Sequence, residues 1–369
     1  MASAPAVVAG CAVGSGSPGA RQVRVAAAFY PLAFAVAQVG GDLVQVENLT
    51  KPGTEPHDLE LSPAGMISLA KADLVVYLAG FQPVVDQALE GLAQREGTLD
   101  VSAAAQLGGG GAKPNTEPVS QANTEPGTTR NTGPAPQPRS RVAVEPNTEP
   151  VSEANTEPGA TRNAGPAPQP PSRVAVEPNV DPGSEPAAAL STEHSALADP
   201  HFWLDPTRYA DVGSAIADRL ATADPANAAA YRAGAVRFTS RLHALDGELR
   251  TGLANCSIRD LVTGHAAFSY FAAAYGLHQV GIAGLSPDAE PEPAQLAQVA
   301  RFVRDHGVRT VYAETLVSPA VADTVARETG ARVAVLDPVE GITASSAGRD
   351  YFAVMRSNLR ALRQGQECR

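Results

Sequence analysis

The sequence predicts an α/β fold: two β/α domains with parallel sheets, joined by one long backbone helix. Three observations predict it. Short apolar runs suited to buried strands alternate with helical patterns before residue 102 and again after residue 260, and such alternation with short connections means parallel strands covered by helices. Between these stretches runs one long amphipathic pattern without proline, residues 227–254. The 369 residues are also enough for two separate cores.

Taken in order, residues 22–28 and 43–49 read as strands around a helix near 32–39. The apolar run 73–77 suits a buried parallel strand, and 98–101 suits another. Asp205-Pro206 opens a helix reaching to about 221. In the long pattern that follows, Tyr231, Ala235, Phe238, Leu242, Leu245 and Leu249 fall at steps of four and three, one continuous stripe. At 28 residues it would span about 42 Å, which suits a strut between domains. The second half is punctuated more clearly. A strand at 261–263 precedes a helix at 266–275 that stops at Gly276. A strand at 278–282 precedes a helix at 293–306, opened by Pro293 and stopped by Gly307. Strands at 308–313 and 332–336 flank a helix at 320–329 that ends at Gly330, and a last helix covers 349–363. The expected domains are therefore 22–225 and 255–369, with 226–254 as the linking helix.

Residues 114–145 and 146–177 are a tandem duplication of period 32 that differs at only four positions, 121, 128, 132 and 139. Between Leu107 and Leu190 there is no Leu, Ile, Met or aromatic residue, and 16 of the chain's 31 prolines lie in 114–186. Such a segment lacks the apolar surface that would offset its ordering entropy. The insertion, 108–198, is expected to be disordered and to serve as a spacer or tether. It contains a single histidine, His194, and so is not expected to gather metal.

The net charge of −11 argues against nucleic acid and against an anionic membrane surface as partners. No stretch approaches the ~20 apolar residues of a spanning helix. Val8-Ala9-Gly10-Cys11 resembles the lipobox of bacterial lipoproteins, which implies lipid on Cys11 and a tether over 1–21. The ten residues before Cys11 lack the basic and apolar segments of that pattern. Export would place Cys256 and Cys368 in an oxidising compartment, where an even pair bridges. Closing a loop of more than 100 residues contributes roughly 4–5 kcal/mol in the chain-entropy account.

Three separated segments each offer a histidine in a metal-binding setting: Gly53-Thr54-Glu55-Pro56-His57-Asp58, Asp199-Pro200-His201-Phe202-Trp203-Leu204-Asp205-Pro206, and Thr263-Gly264-His265. His265, and Asp337 in Val335-Leu336-Asp337-Pro338, directly follow predicted strands. His57 lies in the loop after the second strand, and His201 just precedes a helix. Ligands bind beyond the carboxyl ends of parallel strands, so two facing domains would bring the four residues into one cleft. Three imidazoles and one carboxylate complete a tetrahedral shell for Zn²⁺. His243 and His306 sit within helices and His278 opens a strand, placements that suit structural or surface roles.

These segments, with Leu59–Pro63, Glu314–Pro319 and Leu336–Gly341, resemble the metal-binding solute receptors of zinc and manganese ABC transporters. The resemblance covers nearly everything outside the tether and residues 108–198. It implies two β/α domains joined by one long helix, with the ion between them on His57, His201, His265 and Asp337. It also implies a non-enzymatic, extracytoplasmic receptor, expected as a monomer, that hands Zn²⁺ to an ABC permease. With no Walker-type loop in the chain, ATP hydrolysis falls to a partner ATPase subunit. Manganese members are expected to carry a carboxylate at position 265, whereas imidazole there suits zinc. Pro56 stands where some zinc members carry an acid, so water or Glu55 are the other candidates for the fourth position. Other readings are a manganese receptor of the same type, a zinc hydrolase with Glu314 as base, and a surface adhesin using the insertion as a stalk. Deprotonated imidazoles are needed for capture, so affinity is expected to fall below about pH 6.

Overall fold

In the computed structural model, which describes residues 21–91, 97–107 and 199–369, the alternating pattern forms two four-stranded sheets in which every pairing is parallel. The first holds β1 (Val23–Ala27), β2 (Val44–Asn48), β3 (Leu74–Tyr77) and β4 (Thr98–Asp100) in the order β2-β1-β3-β4. Val25 sits between Val46 and Leu74 across this sheet. Around it lie α1 (Tyr30–Gly40), α2 (Pro63–Lys71), α3 (Pro83–Gly91) and α4 (Pro206–Ala223).

After α5 (Ala228–Leu253), the second sheet holds β5 (Asp260–Thr263), β6 (His278–Gly281), β7 (Thr310–Ala313) and β8 (Arg332–Val335) in the order β6-β5-β7-β8. Its helices are α6 (Ser269–Tyr275), α7 (Pro293–Asp305), α8 (Ala320–Thr329) and α9 (Tyr351–Gly365). In each sheet the chain order reverses at a central strand, between β1 and β3 and between β5 and β7. Loops leaving those strand ends diverge and open a crevice for a ligand.

The stripe on α5 is buried as its spacing requires: Tyr231, Phe238, Leu242, Leu245 and Leu249 are almost fully covered. This helix packs on α4 and α1 from the first half and on α9 and α6 from the second. One cluster of buried apolar side chains runs through it, from Val25 and Leu74 to Leu261, Tyr312 and Leu362. Arg356 of α9 reaches α5 with a two-pronged hydrogen bond to Glu248 at 2.7 and 2.8 Å. Cys256 and Cys368 are joined in a disulfide that fastens the end of α9 to the chain leaving α5.

Helices α2 and α3 fall where the sequence pattern alone suggests none. Each is short and opens with proline at its first position, and Ser62 caps α2 by accepting the Gly65 N–H. Helix α6 starts at Ser269, later than the pattern from Ala266 predicts. Ala266 N–H instead donates to Gly284 O, and Ala283 N–H to Gly264 O, which draws residues 264–266 out as a loop. Cys11, the tether before residue 21 and the duplicated insertion lie outside the described residues. Among the described residues, no helix is long and apolar enough to cross a membrane.

Candidate metal centre

His57 rides on the loop between β2 and α2. Gln82, just before α3, anchors that loop by donating its Nε2 hydrogens to Thr50 Oγ1 at 3.1 Å and Pro56 O at 3.0 Å. Thr50 in turn donates to Ala28 O at the end of β1, at 2.8 Å. The imidazole stands edge-on to Phe81, ring centres 4.7 Å apart, and Glu55 Oε1 accepts the His57 backbone N–H at 3.3 Å.

His201 is fully buried and precedes the single turn of 3-10 helix that leads into α4. Asp199 Oδ1 accepts from its backbone N–H at 3.0 Å and from its Nδ1 at 2.7 Å. His265, also fully buried, stands two residues past the end of β5. Glu314, directly after β7, accepts the His265 backbone N–H on Oε1 at 2.8 Å and its Nδ1–H on Oε2 at 2.5 Å. This pair bridges the crevice between β5 and β7. At both histidines a carboxylate fixes main chain and ring together, so that Nε2 is the atom left for a ligand.

The three Nε2 atoms converge. His201 Nε2 lies 3.3 Å from His57 Nε2 and 3.3 Å from His265 Nε2. The fourth group is the carboxylate of Glu340, whose Oε1 is 3.0 Å from His201, 3.4 Å from His57 and 3.7 Å from His265, measured to Nε2. Donors 2.0–2.1 Å from a tetrahedral zinc stand about 3.3 Å apart, so the observed 3.0–3.7 Å brackets the spacing of a filled shell. Among the described residues these four form the group of ligand-bearing side chains whose donor atoms lie within 4.8 Å of one another.

Asp337 lies outside the group. Although it stands two residues past the end of β8, its Oδ1 turns back to accept the Val339 N–H at 2.7 Å, and the chain then carries Glu340 forward to the imidazoles. Strand-end logic selects the first acid of Leu336–Gly341 and passes over the second. The signal for Glu340 was its place within that segment, but a turn of unpredicted shape decides which acid points inward. Glu55 Oε1 stands 4.0 Å from His57 Nε2, at the margin of the group. His278, at the start of β6, and His306, at the end of α7, both face Asp260 at the start of β5, each at 3.0 Å, and neither belongs to the cluster.

Phe29, Phe81 and Trp203 pack together beside the site, and His201 lies 5.3 Å from the Trp203 ring. Excluding water from this side strengthens every charge interaction among the four groups. On the other side, Glu55, Asp288, Glu290 and Glu314 line an open depression. The protonation pattern follows. For His265, burial works against the charged form, but Glu314 and Glu340 outweigh it and carry the pKa up to about 10. For His201, burial is likewise overcome by Asp199 and Glu340, which raise it. Burial prevails at His57 and lowers it. Burial would raise Glu340, yet hydrogen bonds from the three imidazoles hold it well below the usual carboxylate range. Glu55 is pushed up to about 9 by burial and by the charge of Glu340.

The chain is 41% identical over 172 residues to a zinc-binding protein AdcA of Streptococcus pyogenes serotype M1, a match spanning 46% of this chain and 33% of that one. It is 38% identical over 167 residues to the high-affinity zinc uptake system protein ZnuA of Bacillus subtilis strain 168, spanning 45% and 52%. The match thus spans between a third and about half the length of these relatives. Among solved structures, the zinc-bound ZnuA-like domain of Streptococcus pneumoniae AdcA aligns with a TM-score of 0.62 and 26% identity, covering 94% of this chain and all of that domain. The metal-dependent lipoprotein YcdH of Bacillus subtilis aligns with a TM-score of 0.61 and 25% identity, covering 94% and 99%. Residues 25–365 match the family described as ZnuA, the periplasmic component A of the zinc-uptake complex. The two sheets, the long helix and the cluster of three histidines and a glutamate thus sit in a chain that belongs to the zinc-uptake component A family.

Proposed function

We propose that this chain is an extracytoplasmic receptor that captures Zn²⁺ on His57, His201, His265 and Glu340 and delivers it to an ABC permease driven by a separate ATPase subunit. One observation carries the reading: four donor atoms from four separate segments stand at the spacing of a zinc shell. Three nitrogens and one oxygen favour zinc over manganese, which prefers harder oxygen ligands. Zinc uptake is what the family is named for, and a Streptococcus pneumoniae relative is named a zinc-binding lipoprotein, which supports the location. In this reading residues 22–225 and 255–369 are the two domains on either side of the linking helix.

A hydrolytic role has less support. Four protein ligands leave no open position for a reactive water, the arrangement of a closed site and not of a catalytic one. Glu314 serves the far nitrogen of His265, and so is not placed as a base beside an attacking water. A competition titration with a zinc chelator tests the assignment. His265→Ala and Glu340→Gln should each lower zinc affinity at least about tenfold, and unchanged binding in both would overturn it.

A further inference from the structure

The turn from Asp337 to Glu340 is fastened more heavily than its length requires. Asn358 of α9 holds the backbone of Asp337 from both sides: its Oδ1 accepts the Asp337 N–H at 3.0 Å, and its Nδ2 donates to Asp337 O at 2.6 Å. Trp203, two residues after His201, donates its indole N–H to Pro338 O at 2.8 Å. Val339, fully buried, is held at φ 60, a region that costs a β-branched side chain strain. The Asp337 Oδ1 that accepts the Val339 N–H is the contact that closes this turn. One residue later, Glu340 is 1% exposed with Oε1 among the three imidazoles.

Resting on the reading of the cluster as a zinc site, we propose that Asp337 is a positioning residue: it holds the strained Val339 turn shut and so fixes Glu340 Oε1 against the three Nε2 atoms, without touching the ion. Asn358, Trp203 and the Asp337 carboxylate together sustain the strain, so the Glu340 carboxylate is delivered at one position. The indole bond to Pro338 extends that control to the segment bearing His201. Two ligands from opposite halves of the chain are thereby set against each other through Trp203.

Asparagine separates positioning from ligation, because it retains the oxygen that accepts the Val339 N–H and lacks the charge a ligand would supply. Zinc affinity of the full chain is measured by chelator competition for the parent, Asp337→Asn, Asp337→Ala and Glu340→Gln, with the Co²⁺ absorption spectrum reporting the ligand shell and circular dichroism reporting the fold. Asp337→Asn should bind within about threefold of the parent and keep its Co²⁺ spectrum. Asp337→Ala should lose about tenfold or more and shift the spectrum while the circular dichroism is unchanged. A loss in Asp337→Asn as large as that in Glu340→Gln would overturn the proposal, since Asp337 would then be a ligand. Parent-like binding by Asp337→Ala would overturn it too, because the turn would not need its cap. If Asp337→Ala fails to fold, the asparagine variant alone decides. Unchanged binding in Glu340→Gln is a separate failure, one of the zinc-site reading itself.

Discussion

Glu314 grips His265 at two points, accepting the backbone N–H on one oxygen and the ring Nδ1–H on the other. The grip sets the tautomer, fixes the ring plane and raises the basicity of Nε2, three effects that favour a bound cation. Gly264 makes room for it, since a Cβ at that position would stand 2.6 Å from Glu314 Oε1. Glu314→Gln keeps the size and loses the charge. Its zinc affinity should fall about 10–100-fold with the fold intact, as read by chelator competition alongside circular dichroism. Parent-like affinity would mean that the carboxylate contributes nothing beyond packing.

Protons and zinc compete for this site over a higher pH range than unperturbed histidines would set. With His265 raised to about 10, its ring is cationic at neutral pH and must lose its proton to bind a metal; His201 is raised as well, by Asp199 and Glu340. Affinity should therefore keep rising from pH 6 toward pH 9 and not level off above the ordinary histidine value near 6.5. Binding at pH 7 should release about one proton from His265, measured by calorimetry in buffers of different ionisation enthalpy. A heat independent of buffer would contradict this. The same shift acts on the metal-free fold. A raised histidine contributes stability that is complete below its unfolded value and is lost as pH rises through about 10. The melting temperature of metal-free protein should thus fall across that window unless Glu314 has been replaced.

The sequence made some of this site legible for a definite physical reason. His57, His201 and His265 stand in segments marked by proline, glycine or a strand end, and strand ends in parallel sheets are where loops converge. Leu242 and its neighbours declared α5 through periodicity alone. What stayed hidden depends on tertiary geometry. Choosing between Asp337 and Glu340 requires the shape of a turn with Val339 at φ 60, a conformation that a β-branched residue does not advertise. The roles of Asp199 and Glu314 were hidden for a related reason. Asp199 lies beside its histidine in sequence, but Glu314 is 49 residues from His265, and only the pairing of β5 with β7 brings them together. Helices α2 and α3 are too short for periodicity to register, so their Pro starts and the Ser62 cap are the only local marks.

Two glycines within α5 should respond in opposite ways to alanine, and the contrast tests the packing of α1 against α5. In an exposed helix interior, Gly→Ala stabilises by roughly 1 kcal/mol through backbone entropy. At Gly247 a Cβ would meet nothing within 4 Å, so Gly247→Ala should gain close to that amount. At Gly234 a Cβ would overlap the carbonyl of Val39 at the end of α1, a backbone atom that cannot rotate away. Overpacking of this kind typically costs about 1–3 kcal/mol, occasionally more, and here the helices must separate for it to be relieved. The clash should exceed the propensity gain, leaving Gly234→Ala destabilised by at least about 1 kcal/mol in urea unfolding. Its zinc stoichiometry should not change, because none of the four donors lies on α5. If both variants were stabilised, the close approach of α1 to α5 would not be what holds the first sheet to the long helix.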